Sequence, residues 1–131
     1  MKWELCIEHM NHLVHNPDWD RIHEVIQQMD GKTITNFVLD PADDEGASLL
    51  CGGGDVINGE KRYKVEYYCE DGSGYCLINP EESADKEYEL TIRVPDVQLA
   101  KHCVKQEEVI KAFEYFYKTG KRNPELLWEE Y

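Results

Sequence analysis

Hydrophobic and polar residues alternate at the start of the chain. In KWELCIEH (residues 2–9), Trp3, Leu5 and Ile7 fall on one face of an extended segment, and three charged residues fall on the other. Alternation with a period of two is typical of a strand that buries one face. We therefore expect a half-buried strand over Lys2–His9.

The next segment, NPDWDRIHEVIQQMDG (residues 16–31), changes to helical spacing. Its apolar residues form one stripe on a helix, consisting of Trp19, Ile22, Val25, Ile26 and Met29. Asn16 suits the N-cap and Pro17 the first helical position, while Gly31 suits a left-handed C-terminal cap. The pattern predicts an amphipathic helix between Asn16 and Gly31.

From Thr33 onward the apolar runs become short and rich in β-branched and aromatic residues. The predicted strands lie in KTITNFVLD, ASLLCGG, KRYKVEYYCEDG, SGYCLINP and KEYELTIRVP. Turn-forming pairs separate several of them, namely Asn58-Gly59, Asp71-Gly72 and Asn79-Pro80. Two strand-like runs flanking Asp71-Gly72 predict a hairpin. The connections are too short for helical crossovers, so the sheet should be antiparallel.

The last third of the chain returns to helical spacing. KQEEVIKAFEYFYKTG (residues 105–120) has an apolar side, acidic residues in its first turn and Gly120 as its stop. Asn123-Pro124 is expected to start a short helical turn that carries Leu127 and Trp128. The order of elements predicts one α+β domain over residues 1–131, in which helices pack against an antiparallel sheet of about five to six strands.

Charge changes this picture most. The chain has 27 Asp and Glu residues against 14 Lys and Arg residues, a formal net charge of −13. Such a surface repels nucleic acid and attracts a basic protein. Solubility alone is the competing explanation of an acidic surface.

No apolar run approaches the roughly 20 residues of a membrane span. With no signal peptide evident, we expect a cytoplasmic protein whose five cysteines stay reduced.

A glycine-rich stretch, LLCGGGDVINGEKRYKVEYY (residues 49–68), raises the possibility of a phosphate-binding loop. Gly54 and Gly59 have the required spacing, but Glu60 replaces the lysine, and strands rather than a helix follow. The dinucleotide pattern also fails, because Ile57 stands where Gly52 and Gly54 require a third glycine. We interpret the glycines as a bulge or a close backbone approach within a sheet.

Metal binding is the other chemistry to weigh. Cys6, His9, His12 and His15 recur every three residues in CIEHMNHLVH. Neither a strand nor a helix places all four on one face, and no second ligand pair with such spacing follows. No nucleophile motif accompanies the cysteines or serines. We therefore expect no metal, no cofactor and no enzymatic activity, with surface histidines leading to the first helix.

Acidic residues cluster in the predicted loops and strand ends. We take these clusters, with two neighbouring tyrosines, as candidate partner-binding residues. They are Asp43, Asp44, Glu45, Glu70, Asp71, Glu81, Glu82, Asp85, Tyr67 and Tyr68. A solvated rim explains any one cluster as well, whereas the whole set favours a basic partner. Aromatic residues at such a rim, Tyr88 and Trp128 included, suit interface anchors or core packing.

The order of several motifs resembles a known family. These are Met29-Asp30-Gly31, Gly52-Gly53-Gly54, Arg62-Tyr63, Asn79-Pro80, and a closing run with Ala112, Phe116, Thr119-Gly120, Pro124, Leu127 and Trp128. In this order they resemble the first-numbered immunity-protein family of bacterial polymorphic toxin and contact-dependent growth-inhibition systems. The resemblance leaves out the N-terminal strand and the histidine stretch. Met29 replaces a leucine of the family pattern, and the turn after Gly54 is longer.

The resemblance implies a non-catalytic protein that binds a cognate toxin domain of the nuclease or nucleic-acid deaminase type. A nuclease carries a basic groove, which acidic loops would occupy. The recurring residues have backbone or packing roles, and we assign these to Gly52, Gly53, Gly54, Arg62, Tyr63, Gly120 and Trp128. The alternative is a generic acidic protein-interaction domain, or a nuclease inhibitor outside any toxin system. The oligomeric state stays open.

Overall fold

The computed structural model describes residues 2–8, 12–43 and 45–131. Besides a short 3-10 helix at Ala100–His102, ten strands and two α-helices follow one another along these residues. In chain order they are β1 (Trp3–Ile7), β2 (His12–His15), α1 (Trp19–Gln28), β3 (Asn36–Pro41), β4 (Ser48–Ile57), β5 (Glu60–Tyr68), β6 (Gly74–Leu77), β7 (Glu87–Ile92), β8 (Val94–Leu99), β9 (Val104–Lys105), α2 (Gln106–Thr119) and β10 (Trp128–Glu130).

Eight of these strands form one antiparallel sheet. Their order is β10-β6-β5-β4-β3-β1-β2. The short strand β9 pairs with Arg62 and Tyr63 of β5, and β6 pairs with residues 66–68 further along the same strand. The α+β class, the single domain and the antiparallel sheet confirm the prediction. The sheet has more strands than the five to six expected, because β2, β9 and β10 add two to four residues each at its margins.

Both helices pack on one face of the sheet. The α1 stripe buries Ile22, Val25 and Ile26 completely. Phe113 of α2 lies with its ring centroid 5.0 Å from that of Phe37 in β3. Trp3 of β1 also connects the sheet to α2, because its indole N–H donates to the Tyr117 carbonyl at 3.0 Å. Burial of these apolar side chains is the main source of stability for the domain.

The β7–β8 hairpin packs against the opposite side of β4, where the glycines lie. A Cβ added to Gly52 would lie 2.7 Å from the side chain of Ile92, and one added to Gly54 would lie 2.7 Å from the Met29 carbonyl carbon. The pairing of β4 with β5 shifts register after Gly53, as a bulge does. Gly52 therefore accommodates the Ile92 side chain and Gly54 the Met29 backbone, so the predicted bulge and close backbone approach are both present.

The predicted caps of α1 are wrong in detail. Asp18 is the N-cap, and its carboxylate accepts the Arg21 N–H at 2.9 Å. Asn16 instead adopts a positive φ of 50° and donates its N–H to the Trp3 carbonyl. Met29 rather than Gly31 is the C-cap. The chain reaches α1 directly from β2, so Asn16 makes the bend and leaves capping to Asp18.

Three further segments differ from the expectation. The histidine stretch contributes β2, residues 94–99 form β8, and the region after Asn123-Pro124 forms a turn followed by β10. Trp128 belongs to this strand and lies opposite Leu77 of β6. Pairing with a distant strand therefore overrides the local signal for a helical turn.

Candidate partner-binding surface

Two acidic loops leave the sheet at the same end. Ser48, the first residue of β4, pairs with Tyr68, the last residue of β5. The loop before β4 and the loop after β5 are therefore neighbours. Their four exposed carboxylates, named the acidic end below, are Asp43, Glu45, Glu70 and Asp71.

The two loops approach one another, and the residues that follow α2 lie beside both of them. A Cβ added to Gly46 would lie 3.9 Å from a carboxylate oxygen of Glu70. Lys121 lines a cleft of about 280 Å³ together with Asp43, and another of about 410 Å³ together with Glu70. The acidic end is thus a folded surface with shallow concavities rather than two separate loops.

Hydrogen bonds to residues two positions further along the chain orient the carboxylates of Asp43 and Asp71. Asp43 accepts the Glu45 N–H at 3.1 Å. Asp71 accepts both the hydroxyl and the N–H of Ser73, at 2.6 Å and 2.9 Å. These two bonds from Ser73, the hydroxyl first, lower the pKa of Asp71, so this carboxylate carries its charge at neutral pH.

Asp44 was predicted to bind the partner with its neighbours, and it lies outside the described residues. Glu45 and Glu70 lie on either side of the acidic end, and both are exposed. Their carboxylates form no ion pair with any residue that the structure describes. They are the acidic side chains here whose charge is most available to a partner.

The other predicted acidic cluster lies at the opposite end of β5. Glu82 has a side chain only 13% exposed, and its carboxylate lies 2.9 Å from the Arg62 guanidinium and 3.0 Å from the Tyr88 hydroxyl. Glu81 is exposed and lies 3.4 Å from Lys105. Asp85 is exposed and accepts the Ser83 hydroxyl. The structure therefore does not bring this cluster to the acidic end, and it places Glu82 in an internal ion pair.

The two predicted tyrosines point to opposite faces of β5. Tyr67 packs on the helical side against Phe116, with the ring centroids 5.9 Å apart. Tyr68 is exposed on the other side, where its hydroxyl donates to Glu66 at 2.7 Å and its ring stacks on Tyr131. One surface cannot use both rings in the same way.

The residues assigned to structural roles lie inside the fold. Tyr63 is fully buried and donates its hydroxyl to the Ile26 carbonyl at 3.3 Å, and burial raises its pKa to about 12. Arg62 is buried, and its Nε finds no acceptor among the described residues. Gly120 caps α2 in the left-handed conformation with φ 74°. Trp128 donates its indole N–H to the Asn123 carbonyl at 3.0 Å.

The histidine stretch gives no metal centre in the described part of the chain. No group of three His, Cys, Asp or Glu side chains there has an arrangement that would hold a metal ion. His12 and His15 are exposed on β2, and His15 lies 3.1 Å from Glu4. His9, the remaining histidine of the motif, lies outside the described residues.

Sequence reasoning missed a larger cleft beside the acidic end. It measures about 740 Å³ and lies between β5, β6 and the segment after α2. Its charged and aromatic lining includes Arg122, Tyr67, Tyr75 and Trp128. The basic pair in KTGKRNPELLW was the available signal, but the tyrosines come from strands far away in sequence.

Comparison with known proteins adds no relative. No protein-family model matches the chain, and no curated protein matches it either. Among the described residues, neither helix has the length and apolar character needed to cross a membrane. The function must therefore be argued from the surface itself.

Proposed function

We propose that this protein binds and neutralises a cognate secreted toxin domain of the nuclease or nucleic-acid deaminase type. The acidic end occupies the basic groove with which the toxin grips its nucleic acid, so the substrate is excluded. The protein itself catalyses nothing. This is the activity of an immunity protein, which acts in the cytoplasm of the cell that it protects.

The observation that carries this proposal is the convergence of Asp43, Glu45, Glu70 and Asp71 at one end of the sheet. Like charges gathered on one surface cost folding free energy through mutual repulsion. A basic groove removes this repulsion on binding. The net charge of −13 extends the attraction beyond contact distance and speeds association.

The order of motifs in the sequence supports the same proposal. The glycines of β4, the Arg62-Tyr63 pair and the cap at Gly120 all serve the framework, as expected for residues that recur in a family of immunity proteins. Specificity for one toxin requires residues that differ between related immunity proteins. The proposal therefore assigns specificity to the exposed carboxylates and stability to the framework.

The competing function is an acidic interaction domain or nuclease inhibitor outside any toxin system. It uses the same acidic end and predicts the same dependence on salt. The two differ in the partner, since only an immunity protein protects a cell against a secreted toxin. Growth of cells that express the toxin domain, with and without this protein, therefore distinguishes them.

The direct test is the affinity for the C-terminal domain of a toxin encoded next to this protein, measured at low and high salt. Glu45→Lys/Glu70→Lys should slow association about tenfold at low salt, because it removes steering charge at the acidic end. Glu60→Lys/Glu89→Lys makes the same change in net charge at exposed positions outside it and is the matched control.

Three outcomes decide the matter. Slower association in the first variant alone supports the acidic end as the binding surface. Equal slowing in both variants means that overall charge, and not this surface, governs capture. Failure of a folded toxin domain to bind the wild-type protein at either salt rejects the immunity function for that pair.

A further inference from the structure

The cleft between β5, β6 and the segment after α2 is lined by aromatic and basic side chains. Its volume of about 740 Å³ lies in the range typical of ligand pockets. Three aromatic rings line it, from Tyr67, Tyr75 and Trp128, and Arg122 and Lys121 both contribute positive charge. Tyr, Trp and Arg are the residues that most often dominate the binding energy of protein interfaces.

The guanidinium of Arg122 is held by the rings. Its central carbon lies 3.6 Å from the centroid of Tyr75 and 5.6 Å from that of Tyr67. A guanidinium stacked on an aromatic face keeps the N–H groups at its edge available for hydrogen bonds. Stacking therefore positions Arg122 while leaving its donors free.

The segment that carries Arg122 is also ordered before any partner arrives. The Asn123 carbonyl accepts the Trp128 indole N–H at 3.0 Å and the Leu126 N–H at 3.2 Å. The Asn123 side chain accepts the Glu125 N–H at 2.9 Å. Binding here does not have to order a loose loop, which lowers its entropic cost.

Arg122 differs from the other three arginines in having no carboxylate partner within residues 2–8, 12–43 and 45–131. Arg21 pairs with Glu24, Arg62 with Glu82, and Arg93 with Glu8. Arg122 pairs with no carboxylate among the residues that the structure describes, although the chain holds 27 acidic residues. Its charge is available to a group from outside.

We propose that this cleft binds an acidic peptide segment of the partner, with an aspartate or glutamate carboxylate on Arg122 and an adjacent apolar side chain on the three rings. A carboxylate matches the planar donor edge of a guanidinium. The preference for a carboxylate stands on the cleft alone, whereas its source in a toxin domain rests on the proposed function. The cleft holds the bound partner, and the acidic end speeds its association.

The test uses two short probes that do not depend on any toxin. N-acetyl-Leu-Asp-Leu-amide and its Leu-Asn-Leu counterpart are titrated to about 10 mM, a range that detects millimolar affinity. Binding is followed through the NMR signals of the Trp128 indole N–H and of the amides of residues 121–128. We expect the aspartate peptide to shift these signals, and the asparagine peptide to bind at least about tenfold more weakly.

Two variants locate the effect. Arg122→Gln should sharply reduce the preference for aspartate, leaving only what Lys121 supplies, while the unfolding transition stays in place. Glu130→Gln should tighten binding, because Glu130 of β10 lies opposite Tyr75 of β6 and places a negative charge beside the cleft. This variant controls for general effects of substitution at the cleft.

Several results would overturn the inference. They are the absence of shifts with either peptide, equal affinity for both peptides, and unchanged discrimination in Arg122→Gln. Inorganic phosphate that matches the aspartate peptide in affinity would also overturn it, since it would indicate a site for any anion. If the wild-type protein binds the aspartate peptide but not a folded toxin domain, the proposed function is rejected and the cleft assignment stands.

Discussion

Glu82 and Arg62 form an ion pair of 2.9 Å from which water is almost excluded, with side chains 13% and 9% exposed. The Tyr88 hydroxyl donates a further hydrogen bond to the Glu82 carboxylate, at 3.0 Å. A buried charge that loses its partner is costly, so Glu82→Gln should lower the free energy of unfolding by about 3 kcal/mol. Urea unfolding measures this loss.

Neighbouring Glu81 is the control for Glu82. It has the same charge, but its side chain is 72% exposed and it lies 3.4 Å from Lys105. Exposed ion pairs contribute little, so Glu81→Gln should change stability by less than about 1 kcal/mol. Equal losses in the two variants would contradict a structural role for the Glu82 carboxylate. A weaker toxin complex in Glu82→Gln without loss of stability would return Glu82 to the binding surface.

Substitutions at Gly54 and Gly72 distinguish destabilisation by steric overlap from destabilisation by backbone strain. Both have a strongly positive φ, 96° and 90°, which disfavours any residue with a Cβ. An added Cβ at Gly54 meets the Met29 backbone at 2.7 Å, whereas one at Gly72 meets nothing within 4 Å. Gly54→Ala should therefore destabilise the protein by at least about 2 kcal/mol more than Gly72→Ala, as measured by urea unfolding.

Comparable losses in the two glycine variants would mean that strain in φ explains both. The approach of α1 to the bulge in β4 would then be loose enough to accommodate a methyl group. The toxin affinity of folded Gly54→Ala should stay near that of the wild type, because this glycine lies in the framework.

Local signals predicted much of the framework correctly. Alternation predicted β1, and turn pairs predicted the turn at Asn58-Gly59 and the hairpin at Asp71-Gly72. Asn58, Gly59 and Gly72 adopt positive φ there. Gly120 predicted the end of α2, where it adopts φ 74°. Such signals work because the chemistry of a turn or a cap lies within a few residues of sequence.

Features that depend on distant partners were not predictable in this way. β8 was missed because it is exposed at five of its six positions, so its sequence lacks the alternation of a half-buried strand. Glu82 looked like any loop acid, because Arg62, which buries its charge, lies 20 residues away. The cleft at Arg122 was invisible for the same reason, since Tyr75 and the loop after α2 meet only in the folded chain.

Asp30 should make stability depend on pH in the acidic range. Burial alone would raise its pKa, but the N–H groups of Lys32, Ile34 and Thr33 lower it from its ordinary value of 3.8. A carboxyl with a lowered pKa in the folded state stabilises the protein above its unfolded pKa and loses this contribution as the pH falls through the folded value. Asp30→Asn removes the titrating group.

The difference in stability between wild type and Asp30→Asn should therefore be largest near neutral pH and shrink below about pH 4. Urea unfolding at several pH values between pH 7 and pH 3 measures it. A difference that stays constant over this range would show that the side-chain oxygen, and not its charge, holds the turn.

The outer edge of β8 is protected against pairing with another strand. β8 pairs only with β7 among the described residues, and it exposes Val94 and Val97 by 64% and 55%. Pro95 has no N–H, and the Val97 N–H donates to the Asp96 carboxylate at 2.8 Å. Both features withdraw donors that a neighbouring chain would need for a ladder of hydrogen bonds.

Pro95→Val/Asp96→Thr should therefore promote self-association through this edge, since it restores an N–H, releases another and raises strand propensity. Sedimentation velocity should detect a larger fraction of dimers for the double variant than for the wild-type protein at the same concentration. A third substitution, Val97→Lys, should reverse the effect by placing a charge on the exposed edge. If the double variant sediments as the wild type does, the proline and the aspartate do not protect the edge, and the twist of the two-stranded hairpin is sufficient to prevent pairing.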